Sequence, residues 1–143
     1  MLYTFMLRLS KKELDTTLKS KDGYKLAYRL ISFINVAFSI REKLQIIREN
    51  DDILCGLKRF YNIIKHDYCP KTIFDSMCLP IGVERKIPVF MDISNIQDFG
   101  KPSSKKSDET KKYKQYIEGK PIKDITDYLF NETMQLLRSN NYI

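Results

Sequence analysis

From Tyr24 to Asn50, apolar residues recur at alternating spacings of four and three: Leu26, Leu30, Phe33, Ala37, Ile40, Leu44 and Ile47. That spacing lays one apolar stripe along a helix. Ile31, Ile34, Val36 and Phe38 widen the stripe in the middle, so this helix is expected to pack on more than one side. The "ENDD" run supplies a break or a cap. A second helix is predicted from about Asp52 to His66, with Ile53, Leu57, Phe60 and Ile64 as its apolar stripe. Gly56 weakens it slightly and suits close approach by a neighbouring helix. Cys69-Pro70 closes the segment, because a residue before proline disfavours helical geometry. "KTIFDSMC" reads as one more short helix.

The pattern is less regular at the ends. Ser10 followed by Glu13 matches a capping box, which predicts a short helix through "KKELDTTLKS". The apolar residues before it read as a short strand or an N-terminal arm, and "KDGY" as a turn. After Leu79-Pro80 the pattern changes to partial alternation, with Ile87, Val89, Met91 and Ile93 on one parity. A small β-hairpin or extended arm is expected over residues 81–93, with "ERK" near its turn and Pro88 at an edge. Residues 100–120 hold seven lysines against three acids, among Pro, Ser and Gly. They read as a flexible basic loop that either is solvated or closes over a site. Pro121 then opens a last helix, whose packing face is Ile122, Ile125, Leu129 and Leu136, with Tyr128 and Leu137. The predicted architecture is one mainly α domain over residues 1–143. It is an antiparallel helical bundle, with the hairpin and the basic loop inserted before the final helix.

Composition agrees with a packed domain: 143 residues, 43% hydrophobic and 12% aromatic. The formal net charge of +7 favours anionic partners such as RNA or nucleotide phosphates. Lys105, Lys106, Lys111 and Lys112 in the basic loop are the candidate nucleic-acid contacts. The three cysteines, Cys55, Cys69 and Cys78, form no C-x-x-C pair, and the chain has one histidine. Structural zinc therefore lacks ligands, and reduced thiols in the cytoplasm are the economical reading. No Gly-rich phosphate loop, H-E-x-x-H or G-x-S-x-G occurs, so neither a cofactor nor a metal is expected. The N-terminus lacks the long apolar region and cleavage site of a signal peptide. No apolar run reaches the roughly 18 residues that a membrane span needs.

The single histidine lies in "KRFYNIIKHDY", Lys58 to Tyr68. At about 100° of rotation per residue, Asp52, Cys55, Arg59, Asn62 and His66 form a stripe roughly opposite the apolar one. Arg59 offers a permanent charge and a fork of donors that matches phosphate oxygens. His66 titrates near neutrality and can give or take a proton. Asn62 can orient the imidazole or bind substrate. Cleavage of RNA through its own 2′-hydroxyl needs one proton acceptor and one donor, so a chain with one histidine requires a symmetric dimer. The plainer reading is a solvated polar face, with His66 favourable at a helix C-terminus. A Cys–His nucleophile pair is conceivable, but inert, partly buried cysteines are commoner.

Arg59 and His66 with six residues between them, together with "NIIKHDY", resemble the signature of HEPN (higher eukaryotes and prokaryotes nucleotide-binding) domains. Asn62, His66 and Tyr68 match its second half, while Tyr61 stands directly before Asn62 where many members carry Arg. The resemblance covers about residues 24 to 70 and the final helix, and not the hairpin or the basic loop. It implies a small helical bundle. It also implies either a metal-independent endoribonuclease of a toxin–antitoxin or defence system, or a non-catalytic interaction or regulatory module. In the enzyme, Arg59 would contact the scissile phosphate, His66 would act as general acid or base, Asn62 would position them, and Tyr68 would support them. A homodimer and a protein partner such as an antitoxin are implied alongside RNA.

Overall fold

A computed structural model describes residues 2–20, 22–46, 49–66, 77–78, 87–91, 93 and 104–143, with backbone alone at 64, 66, 77–78 and 104–105. The described chain is mainly helical. In order it forms α1 (Leu2–Thr17), α2 (Gly23–Lys43), α3 (Asp52–His66), β1 (Met77–Cys78), β2 (Val89–Phe90), α4 (Ser104–Tyr116) and α5 (Ile122–Ser139). The predicted helix over "KTIFDSMC" lies outside the described residues except at Met77 and Cys78, which are strand.

Helix α1 is longer than the capping-box pattern predicts. Tyr3, Leu7, Leu14 and Leu18 form a helical stripe against the core, so the N-terminal apolar residues are neither strand nor arm. Ser10 is buried inside the helix, and its hydroxyl donates back to the Leu7 carbonyl at 3.1 Å instead of capping anything. Asp22 caps α2 by accepting from the Lys25 amide, and the short turn folds α2 back along α1. Arg29 and Glu13 clamp the two together.

Helix α2 stops at Lys43, short of the predicted Asn50. Gln45 takes φ +70°, while Gln45 N–H bonds Glu42 O and Ile46 N–H bonds Arg41 O. That pair of bonds is a Schellman closure, made with Gln where Gly is usual. Asp51 then caps α3 through the Leu54 amide. The turn between them is pinned from inside. Arg41 reaches Glu49 through two contacts of 2.6 and 2.8 Å, both side chains are buried, and Arg41 also approaches Thr133 of α5. The Tyr128 hydroxyl on α5 donates to Asp51.

α3 is the central helix: every residue from Leu54 to Tyr61 is buried. Its apolar side meets α2, where Phe38 stacks on Tyr61. The buried ammonium of Lys58 lies over both rings and reaches Glu42 at 2.9 Å. Its other side meets α4, in the segment predicted as a flexible loop. Lys, Glu and Gln are good helix formers, and Glu109, Tyr113 and Ile117 sit four residues apart and are all buried. Composition hid a helix whose packing face is only three residues wide. α4 runs antiparallel to α3.

The sheet is minimal. β2 pairs antiparallel with β1, Met77 opposite Phe90 and Cys78 opposite Val89. The first arm of the hairpin thus lies before residue 81, and the "ERK" turn is outside the described residues. The other edge of β2 is covered by the chain leading into α5: Phe90 N–H bonds Lys120 O, Gly119 N–H bonds Phe90 O and Ile122 N–H bonds Pro88 O. Gly119 has φ +78°, which this reversal needs. The predicted parity is mixed in burial, since Ile87 and Met91 are exposed, Val89 is half-buried and Ile93 is buried, while Phe90 of the opposite parity is fully buried. Phe90 meets Phe60 and Tyr113 edge-on, locking the strand between α3 and α4.

α5 begins at Ile122 with Pro121 as its N-cap, and buries Ile122, Ile125, Leu129, Met134 and Leu137 with Thr126 and Thr133. Glu49→Ala should lower stability by about 3–5 kcal/mol in urea unfolding at neutral pH, because Arg41 is left buried without its carboxylate. A loss within about 1 kcal/mol, the range of an exposed pair, would show that the turn does not rest on this contact.

Candidate functional site

Of the predicted stripe Asp52–Cys55–Arg59–Asn62–His66, Cys55 and Arg59 are buried, Asn62 is half-buried, and Asp52 at its start keeps about half of its side chain in solvent. α4 lies on this stripe. At the start of α3, Lys112 Nζ meets Asp52 at 2.7 Å and sits over the Tyr116 ring. The hydrogen bonds from Lys112 and Tyr116 hold the Asp52 carboxyl below its ordinary range. One turn on, the Cys55 thiol faces Asp108 Oδ2 at 3.5 Å. Further along, the Asn62 amide donates to Glu109 Oε1 at 2.9 Å. Glu109 itself is 3% exposed and Arg59 is 9% exposed.

Gly56 sets the spacing of this seam. A Cβ there would lie 2.8 Å from the Lys112 carbonyl carbon and oxygen and from the Tyr113 nitrogen. Backbone cannot yield as a flexible side chain can, so only glycine lets the two helices approach this closely. The approach in turn brings Asp108, Glu109 and Lys112 within reach of their α3 partners.

Arg59 and Asn62 are therefore together on one face, as the spacing implies, within a buried polar seam instead of an open cleft. The His66 side chain lies outside the described atoms, as do Tyr68 and the side chain of Lys105. Of the lysines considered for nucleic acid, Lys112 is engaged with Asp52, Lys106 is half-buried, and Lys111 is exposed on α4. Sequence spacing did not point to Asp108 and Glu109, which face the stripe from α4; the i, i+4 run Glu109–Tyr113–Ile117 was the signal that would have found them.

Chemically the seam is a place of fixed charges and neutral thiol. Burial, and then the Asp108 carboxylate that accepts from the S–H, push the Cys55 thiol up to about 11. A thiol in that state is a poor nucleophile, which removes Cys55 from a Cys–His pair at neutral pH. Among the described residues, no group of three His, Cys, Asp or Glu side chains gathers to hold a metal ion. No helix among them is long and apolar enough to cross a membrane.

No protein-family model, curated protein or solved structure matches the chain.

In a Cys69→Ser/Cys78→Ser background, Cys55 should react with iodoacetamide at least about tenfold more slowly than free cysteine between about pH 8 and 9, where a raised thiol stays protonated. The sign follows from the shift: a group pushed up remains neutral until pH climbs toward the raised value. A rate matching free cysteine would mean the α3–α4 seam is open.

Proposed function

We propose that the chain is a HEPN-like interaction or regulatory module without enzymatic activity. The observation that carries this reading is that the face bearing Arg59 and Asn62 is occupied by α4 of the same chain. Asp108 and Glu109 bring negative charge to the position a phosphate would take beside them. Tyr113 and Ile117 anchor the cover in the core with no exposed surface. Large apolar side chains elsewhere, Leu2, Phe5, Met6 and Leu9 along α1, stay exposed, as is common on surfaces that association covers. A second copy or a protein partner such as an antitoxin is the partner class this reading names, with a cytoplasmic location.

One observation favours a second reading, an RNA-acting protein with metal-independent endoribonuclease chemistry. Arg59 and Asn62 share the α3 face with His66 at the family's spacing, in a chain of net charge +7. Arg59 would bind the scissile phosphate and a His66 from each of two subunits would move the protons. Such chemistry requires α4 to leave the face, against the burial of Tyr113 and Ile117 and the close approach at Gly56.

Incubation of the full chain with mixed single-stranded RNA in EDTA, beside His66→Ala, separates the two. The interaction reading expects no cleavage by either protein. Cleavage by the unaltered chain that disappears in His66→Ala would overturn it in favour of the second reading.

A further inference from the structure

A large cavity bounded by described residues is remote from the α3–α4 seam: no residue of either helix lines it. It has a volume of about 1050 Å³ and lies between α1, the Ile87–Pro88 strand entry and the first turns of α5. That is just above the roughly 300–1,000 Å³ typical of small-ligand sites.

Its charges sort into two groups. In the wall, the side chain of Lys11 is 6% exposed and sits between Asp15 at 2.5 Å and Asp127 at 2.6 Å. Lys123 closes the set, 3.1 Å from Asp127 and 3.8 Å from Asp15. Burial alone would raise the Asp127 carboxyl, but the hydrogen bonds from Lys11 and Lys123 hold it below its ordinary range. Both carboxylates are thus committed to lysines. On the rim, Arg8 and Lys12 project from one face of α1, one turn apart, and Lys19 follows just past its end. Among the described residues these three cations make no ion pair. Asp124 is the remaining acid of the lining, so basic side chains outnumber acidic ones by five to three. The floor is apolar: Leu18 and Phe130 are partly buried against the core, and Ile87, Pro88 and Pro121 form the opposite side. Ile87 is 58% exposed there, an aliphatic side chain held in solvent at the lip.

We propose that this cavity binds a small organic anion with an apolar or aromatic body. The charged head would lie on Arg8, Lys12 and Lys19, and the body would cover Leu18, Phe130 and Ile87. The internal Lys11–Asp15–Asp127–Lys123 ring keeps the acids of the wall from competing for the rim cations. Guanidinium and ammonium groups beside an apolar floor are the arrangement that such an amphiphile recognises.

The test uses 8-anilinonaphthalene-1-sulfonate, an aromatic sulfonate, titrated into the folded full chain by calorimetry. One variant is Arg8→Gln/Lys12→Gln on the rim. The control is Lys114→Gln/Arg138→Gln, which removes the same charge from exposed positions elsewhere on the surface. Circular dichroism checks that both stay folded. Expected are saturable one-to-one binding, a loss of about tenfold in the rim variant, and less than about twofold in the control. Equal losses in the two variants, or no saturable binding by the unaltered chain, would overturn the proposal.

Discussion

The packing of α3 against α4 is the contact on which the rest of the structure depends. Gly56 permits it, because any side chain there would collide with the Lys112–Tyr113 backbone. With α4 seated, α3 is enclosed on both sides and becomes the core of the bundle. Tyr113 can then bury its ring while its hydroxyl donates to the Met91 carbonyl at 2.7 Å. Phe90 fills the space between Phe60 and Tyr113, and the short sheet is held by that insertion more than by its own few backbone bonds. The chain leading into α5 is in turn bonded to β2, so the seam positions the last helix as well.

A strongly basic chain must also place its acids well. Several of the eighteen carboxylates sit at joints between elements. Glu49 holds Arg41 at the α2–α3 turn, Glu42 holds Lys58 between α2 and α3, Asp127 holds Lys11 between α1 and α5, and Glu109 holds Asn62 between α3 and α4. Each is a contact in which burial raises the value of a specific partner and makes its loss costly. The surplus lysines are left on exposed faces, Lys12, Lys25, Lys111 and Lys114 among them. The positive field of the molecule is thus a property of its surface, while its interior is close to charge-balanced at each joint.

Much of the bundle is legible in the sequence because it follows from local periodicity. The Leu26-to-Ile40 stripe of α2 and the Ile122-to-Leu137 face of α5 both rest on many apolar residues at helical spacing. The misreadings arise where the decisive contact is distant in sequence. Ser10 and Glu13 have the form of a cap, yet tertiary packing of Leu7 and Leu14 carries the helix straight through them. Gln45 ends α2 in a conformation that glycine usually takes, so no residue type announced the stop. Phe90 is buried because Phe60 and Tyr113 lie on either side of it, which alternation along its own strand cannot report. Residues 104–116 have the composition of a solvated loop, and only Tyr113 and Ile117, one turn apart, reveal a buried face. For the candidate site, the shared face of Arg59 and Asn62 was readable from 3.6-residue periodicity, but its cover was not, since Asp108 and Glu109 stand some fifty residues away.

The functional reading turns on whether that cover is a permanent part of the fold. Native-state hydrogen exchange measures this directly, amide by amide, along Thr110–Ile117. If α4 is integral, those amides are protected about as strongly as Leu57–Ile63 of α3 and open only with the whole bundle. Exchange of Thr110–Ile117 at the rate of an unstructured loop, with α3 still protected, would contradict the closed seam and return the Arg59–Asn62 face to solvent.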